Sequence, residues 1–258
     1  MNNKKEKVVG ILGGMGPEAT IDIFTDIVKH TNIENDNDHL RIIIDNNPKL
    51  PSRQDAILGG GENPGPAMAL TAKNIEKAGA DFIILGANTA HYFYHYVKQA
   101  VTIPVLHIIG ETVLATIEAV EGIKKVGVLA TKGAMKTGMF QDAFAEYGIR
   151  VIAVPEDIQE LAHEAVFSFR TAGLNKKNIS MMEQAASFLI ANGAEAIIMG
   201  CTEIPLILKA KNIRVKLINP NEVIAQVTVN YAKNKILIEQ VGDKYLSVNE
   251  QVNNRDPL

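Results

Sequence analysis

The sequence predicts an α/β protein of two similar domains, each a mostly parallel four-stranded sheet flanked by helices, with the site in the cleft between them. Three observations lead there. Residues 79–89 align without gaps on residues 193–203, so that Phe82-Ile83-Ile84-Leu85 lies over Ala196-Ile197-Ile198-Met199 and Ala87 over Cys201. Further pieces repeat at nearly the same spacing: Val8-Val9-Gly10-Ile11-Leu12 against Lys125-Val126-Gly127-Val128-Leu129, and Val105-Leu106-His107 against Leu217-Ile218-Asn219. The short apolar runs stop at glycine or turn residues and give way to a helical period, the alternation expected of parallel sheets. Ligand sites gather at domain interfaces and at the carboxyl ends of parallel strands, so the two repeats are expected to set Ala87 opposite Cys201. The expected divisions are a first domain over residues 1–120, whose C-terminal helix is a candidate to cross over, a second over 121–233, and a polar tail over 234–258.

In chain order, residues 8–12 read as a buried strand, Gly13-Gly14-Met15-Gly16-Pro17 as a loop that could approach a ligand closely, and residues 19–28 as a helix. Residues 41–45 form the second strand, ended by the turn Asn46-Asn47-Pro48. Arg53 sits in a polar segment running to Gly59-Gly60-Gly61; it is either a solvated arginine or a planar fork for a substrate carboxylate. A helix over 66–78 ends at Gly79, and a strand over 82–85 carries Asn88 and Thr89 at its mouth, where they can cap the next helix or hold a ligand. Residues 103–108 are the fourth strand and 111–119 a helix. The second half restarts with a strand from Val126, the loop Thr131-Lys132-Gly133, a helix to Tyr147 and a strand over 151–154. Helices over 158–169 and 180–191 follow, then strands ending at Cys201 and over 215–218, and a helix over 221–233. Beyond about Asp243 the chain is expected to be poorly ordered.

Bulk properties narrow the function. At 258 residues, 47% hydrophobic and a net charge of −3, the chain has core material and no basic excess suited to nucleic acid. The charged start leads into an apolar run that breaks at Gly13-Gly14, too short for a signal peptide or membrane span. The single cysteine excludes an intrachain disulfide and suits a reducing, cytoplasmic setting. No metal site is expected, because His91 and His95 lack an acidic or cysteine partner and the glutamate of a zincin helix.

Cys201 ends an apolar run and precedes a helix start, with Thr202 as a cap and Pro205 in the first turn. The positive end of that helix favours a thiolate, while Glu203 opposes it; a buried structural cysteine is the plainer reading. Gly14-Met15-Gly16-Pro17-Glu18-Ala19 also fits the dinucleotide pattern G-x-G-x-x-A, a weak signal alone, and the matching loop after Thr131 lacks the glycines.

Taken together, Gly10-Ile11-Leu12-Gly13-Gly14-Met15-Gly16-Pro17, Asn46-Asn47-Pro48, Arg53, Asn88-Thr89-Ala90-His91, Leu129-Ala130-Thr131 and Gly200-Cys201-Thr202-Glu203 resemble the cofactor-independent aspartate/glutamate racemase family over roughly residues 8–233. The resemblance implies an isomerase that uses neither pyridoxal phosphate nor metal. In that family two cysteines flank the substrate α-carbon, one removing the α-proton and the other delivering a proton to the opposite face. It implies Cys201 as acid/base, with Ala87 at the position of the second cysteine. Met15, Asn47, Arg53, Asn88, Thr89, Thr131 and Thr202 would bind substrate, with His91 and Glu203 supporting from behind. The expected partner is a free amino acid or small dicarboxylate, and a homodimer is implied by the likeness alone. The chain departs from the pattern at Ala87, at Phe167 and Thr171 where a Tyr and a Lys are common, leaving Arg170 as the nearby cation, and at Ala134 where Thr is frequent. Four readings follow: a slow or one-sided racemase with water or a hydroxyl such as Thr89 as the second proton carrier; a two-cysteine racemase into which Ala87 was introduced; a non-catalytic dicarboxylate binder; and the dinucleotide enzyme.

Overall fold

The computed structural model describes residues 5–209, 211 and 213–247, and they group into two units, residues 5–111 with 221–247 and residues 112–220. The first unit begins β1 (Val9–Gly13), α1 (Pro17–Thr31), β2 (Ile42–Asn46), α2 (Arg53–Leu58), α3 (Gly65–Lys77) and β3 (Phe82–Leu85). A 3-10 stretch, Asn88–Phe93, leads into α4 (Tyr94–Ala100), and α5 (Ile108–Ala119) crosses from this unit to the next between Glu111 and Thr112. The strands are parallel in the order β2-β1-β3, with Val9 beside both Ile42 and Phe82. β1 is buried throughout, which is why its sequence is a continuous apolar run rather than an alternation.

The fourth strand expected over 103–108 is reduced to one bridge, Ile83 to Val105. Ile83 N donates to Pro104 O at 2.8 Å and Leu106 N to Ile83 O at 2.9 Å. Pro104 has no N–H to extend the ladder, and the Tyr94 hydroxyl takes the Val105 carbonyl at 2.6 Å.

The second unit holds β4 (Lys125–Leu129), α6 (Lys132–Lys136), α7 (Met139–Ala145), β5 (Arg150–Val151), α8 (Glu156–Ala172), α9 (Lys176–Ala191), β6 (Ala196–Met199), α10 (Ile204–Ile207) and β7 (Lys216–Ile218). Its parallel sheet runs β5-β4-β6-β7. The strand expected over 151–154 is the two-residue β5; Ile152 N still donates to Val126 O at 2.9 Å, and Pro155 then occupies the cap position of α8. A core of Met182, Ala185, Ala186 and Leu189 from α9, with Ala165 and Val166 from α8, packs on Leu129 and Ile197. No described helix is long and apolar enough to cross a membrane.

The repeat is visible in the backbone. Gly86 N donates to Leu12 O at 2.9 Å, and Gly200 N to Leu129 O at 2.7 Å. At the other end of the strands, Asp81 accepts from Val8 N at 2.6 Å and Glu195 from Lys125 N at 3.1 Å.

The chain returns to the first unit with α11 (Pro220–Ala232) and the antiparallel hairpin β8 (Ile238–Val241) and β9 (Lys244–Ser247). A boundary at residue 120 and a separate tail from 234 therefore differ from how the described residues group. Asn221, Ile224, Ala225, Thr228, Val229 and Ala232 make the buried stripe of α11. Tyr231 meets Phe82 edge-on at 4.9 Å, and Lys7 N donates to Ala232 O at 2.9 Å. Residues 244–247, expected to lack order, form β9; the rest of the expected tail, 248–258, lies outside the described residues.

Glu111, 1% exposed, fastens the hairpin by accepting from Ser247 N at 2.5 Å and Ser247 Oγ at 2.6 Å. Burial pushes its carboxyl up to about 7 despite the Ser247 hydrogen bonds. Below pH 4.5 the group is protonated whether folded or unfolded. As pH rises to 7 the unfolded chain ionises first, so stability should fall by about 3 kcal/mol and then level off. Urea unfolding at pH 4 and pH 7.5 should show that loss, and Glu111→Gln should largely flatten it.

Candidate active site

In the first unit the carboxyl ends of β1, β2 and β3 share one edge, because the strands are parallel and in register. Gly14 follows β1 with φ +88°, a conformation that suits glycine. A Cβ there would collide with the Asn47 backbone, its nitrogen only 2.6 Å away. The glycine loop's close approach is thus to the turn after β2, and the Asn47 side chain accepts from Lys49 N at 3.1 Å. At the start of α1, a Glu18 carboxyl oxygen lies 3.3 Å from where a Gly16 Cβ would be.

Met15 and Ala87 are buried in one apolar group with Leu12 and Leu85. Ala87 precedes the 3-10 stretch that carries Asn88 and His91, both buried, and half-buried Thr89. The cap residue is Ala87, so of the two roles open to Asn88 and Thr89, capping and ligand binding, the capping position falls to neither. His91 Nε2 accepts from Ile108 N at 3.2 Å, which makes Nδ1 the protonated nitrogen, 3.1 Å from Ala87 O. Burial lowers its pKa to about 4. His91 therefore ties the backbone of Ala87 to the start of α5 as a neutral ring.

Arg53 is not in a loop but is the first residue of α2, which Ser52 caps through Asp55 N at 3.2 Å. Its Nη1 donates to Pro51 O at 2.8 Å and Leu50 O at 3.3 Å, while its buried Nε has no hydrogen-bond partner among the described residues. Desolvation lowers its pKa. A cation held this way is suited to an anion from outside.

In the second unit, buried Thr131 lies two residues beyond the end of β4, and Gly200-Cys201 follow directly on β6. A Cβ on Gly200 would stand 3.1 Å from the Ala130 Cβ and 3.2 Å from Leu129 O, so the strand ends approach closely only at glycine. Cys201 Sγ donates to Glu203 Oε2 at 2.8 Å, and Thr202 Oγ1 donates to the same oxygen at 2.9 Å. Thr202 is thus not the cap of α10; Glu203 occupies that position. Arg170 Nε, from α8, donates to Glu203 Oε1 at 2.5 Å.

Burial, and then the Glu203 carboxylate, push the Cys201 thiol up to about 12. Of the two sequence readings, a thiolate favoured by the helix start and a buried protonated cysteine, this setting favours the second: α10 has four residues, too few to outweigh desolvation and an adjacent carboxylate. Burial raises the Glu203 carboxyl, but hydrogen bonds from Arg170, Cys201 and Thr202 prevail and hold it below its ordinary value. The cation expected to replace the family's lysine is thus committed to Glu203. Gln159, not singled out in the sequence, donates from Nε2 to Ala130 O at 2.8 Å and steadies the turn before Thr131. Its signal was modest, a polar residue between Ile158 and Leu161 on a helix that packs against the core.

Each unit therefore assembles its own group of expected residues: Met15, Asn47, Ala87, Asn88, Thr89 and His91 near the strand ends of the first, with Arg53 on α2, and Thr131, Cys201, Thr202 and Glu203 in the second. Among the described residues no cluster of three or more His, Cys, Asp or Glu side chains could hold a metal ion.

The sequence model of the Asp/Glu/hydantoin racemase family matches residues 12–228. The broad specificity amino-acid racemase RacX of Bacillus subtilis (strain 168) is 27% identical over 227 residues, 86% of this chain and 97% of its own length. Among solved structures, the Picrophilus torridus aspartate racemase superposes with a TM-score of 0.76 at 27% identity, covering 88% of this chain and 94% of that one. An aspartate racemase homologue from Pyrococcus horikoshii OT3 gives 0.74 at 25% identity, covering 88% and 99%.

The geometry at His91 is open to direct measurement. Nitrogen-15 NMR of the imidazoles should find His91 as the Nδ1–H tautomer, with ring shifts constant from pH 5.5 to 9; a titration centred near 6.5 would refute that arrangement.

Proposed function

Because the chain belongs to the Asp/Glu/hydantoin racemase family, we propose that it is an amino-acid racemase-like isomerase, independent of pyridoxal phosphate, acting on aspartate or glutamate. Cys201 is its thiol acid/base, and Ala87 stands at the position of the second cysteine. The observation that carries the reading is the placement of the chain's sole thiol at the carboxyl end of β6, hydrogen-bonded to a carboxylate.

An amino-acid α-proton is so weakly acidic that its removal needs a positioned proton acceptor and dipoles for the charge developing on the carboxylate. In this reading Asn88, Thr89, Thr131 and Thr202 hold that carboxylate, Met15 and Asn47 complete the binding surface, and Arg53 receives the distal carboxylate of an acidic substrate. His91 holds the Ala87 backbone, and Glu203 holds Cys201. A methyl group at Ala87 neither takes nor gives a proton, so one face of the α-carbon is served by a thiol and the other by water or a hydroxyl such as Thr89. Transfer on that second face is slower, giving a slow or one-sided enzyme. The family likeness brings with it the expectation of a homodimer, and the single cysteine that of a cytoplasmic setting.

A second reading, a non-catalytic binder of a small dicarboxylate or amino acid, is favoured by two observations: the methyl of Ala87 and a thiol held in its protonated form.

Proton NMR of L- and D-aspartate and of L- and D-glutamate in deuterated water tests both. Loss of the α-proton signal is expected from at least one enantiomer, with slow inversion. Cys201→Ala should abolish exchange, and Ala87→Cys should raise interconversion severalfold. Arg53→Gln should raise KM for the acidic substrates by about tenfold or more, the worth of a charge-assisted hydrogen bond. Unchanged exchange in Cys201→Ala would overturn the assignment, and binding without exchange from all four would establish the second reading.

A further inference from the structure

A thiol whose pKa lies near 12 is ionised in about one molecule in 10^5 at pH 7, a poor store of base. Its proton, however, already points at an acceptor. Cys201 Sγ and Thr202 Oγ1 both donate to Glu203 Oε2, at 2.8 and 2.9 Å, while Arg170 Nε holds Oε1 at 2.5 Å. The Glu203 side chain is 16% exposed and that of Arg170 45%, so the carboxylate is covered while the cation that holds it reaches solvent. Arg170 lies on α8 with its guanidinium 5.6 Å from the Phe167 ring, and His163 packs on the same ring at 4.6 Å. Among the described residues, the charges on the other elements packed here are engaged elsewhere: Lys132 on α6 pairs with Glu160 of α8, whose Glu164 and His163 lie along the same helix, α9 contributes buried Met181, Met182 and Ala185 to this core, and Lys209 after α10 donates to Pro205 O.

Building on the racemase reading, we propose that Cys201 is a proton relay: as its sulfur takes the substrate α-proton, the proton it carried passes to Glu203, with Arg170 positioning that carboxylate and setting its proton affinity. The C–H bond breaks and leaves its electron pair on the α-carbon, a new S–H bond forms, the old S–H bond breaks, and an O–H bond forms at Glu203 Oε2. No free thiolate accumulates. Glu203 and Arg170 are positioning residues that act through the sulfur. The relay runs while Glu203 is ionised and Cys201 protonated, a window bounded below by the depressed carboxyl and above by the elevated thiol.

The test is the pH profile of α-proton exchange with L- and D-aspartate. For the unaltered protein the rate should be flat from pH 6 to 10. Glu203→Gln should lower it at pH 7 by about a hundredfold, the usual worth of a positioned proton acceptor, and leave a residue climbing tenfold per pH unit as the thiol ionises. Arg170→Gln should move the acid limb upward with little change in KM, and Arg170→Lys should restore it. Exchange that climbs tenfold per unit through pH 7–9 in the unaltered protein, or that survives Glu203→Gln at pH 7, overturns the relay. Iodoacetamide labelling of the sole cysteine gives an arm without substrate: at pH 8, Glu203→Gln should label at least about tenfold faster, as the thiol loses the charge that holds its proton. Unchanged labelling with exchange retained overturns the relay and leaves the racemase reading standing. Absence of exchange from every amino acid overturns the racemase reading, and the relay with it, even where labelling responds.

Discussion

A single backbone hydrogen bond, made twice, governs what each sheet can present. The N–H of Gly86 reaches the carbonyl of Leu12, and that of Gly200 reaches Leu129, so the central strand of each unit and its neighbour end side by side. At Gly200 a methyl group would crowd Ala130 and the Leu129 carbonyl. The residue after each glycine is delivered to the strand edge by backbone geometry, whatever its side chain. The same scaffold position can therefore carry a thiol in one unit and a methyl in the other without disturbing either sheet.

What differs is the electrostatic setting. Ala87 enters an apolar group with Met15 and Leu12, and the polar work behind it falls to a neutral His91 that joins two backbone segments. Cys201 instead meets an acceptor two residues ahead, and that acceptor is fixed in turn by a cation from a distant helix. Burial raises the cost of charge on sulfur and on carboxyl alike. Arg170 decides which of them bears it: the carboxylate stays ionised and the sulfur keeps its proton.

The repeat was legible because it is written in the residues that end strands. Asp81 and Glu195 occupy equivalent positions and accept from Val8 N and Lys125 N, which correspond in the repeat, so even a charged surface pair followed the pattern. The family stretch around Cys201 was equally plain. Its protonation was not, since neighbouring residues show a helix start and a glutamate but not how far water is excluded. Arg170, 31 residues before Cys201 in the chain, meets Glu203 only through the packing of α8 against α10. Two misses had visible signals: Pro104 inside the supposed fourth strand, and Gly242-Asp243 inside the supposed tail, where the glycine takes φ +60° and turns β8 into β9.

The first unit is closed by chain that comes last. Phe82 on β3 is covered by Tyr231, the segment before β1 is tied to Ala232, and buried Glu111 is met by Ser247. During synthesis the residues of the second unit, 112–220, are all available before α11 exists. The N-terminal sheet consequently waits on the ribosome with Phe82 lacking its Tyr231 cover while the second unit can finish folding, an interval in which the chain is open to association with chaperones or with other nascent chains.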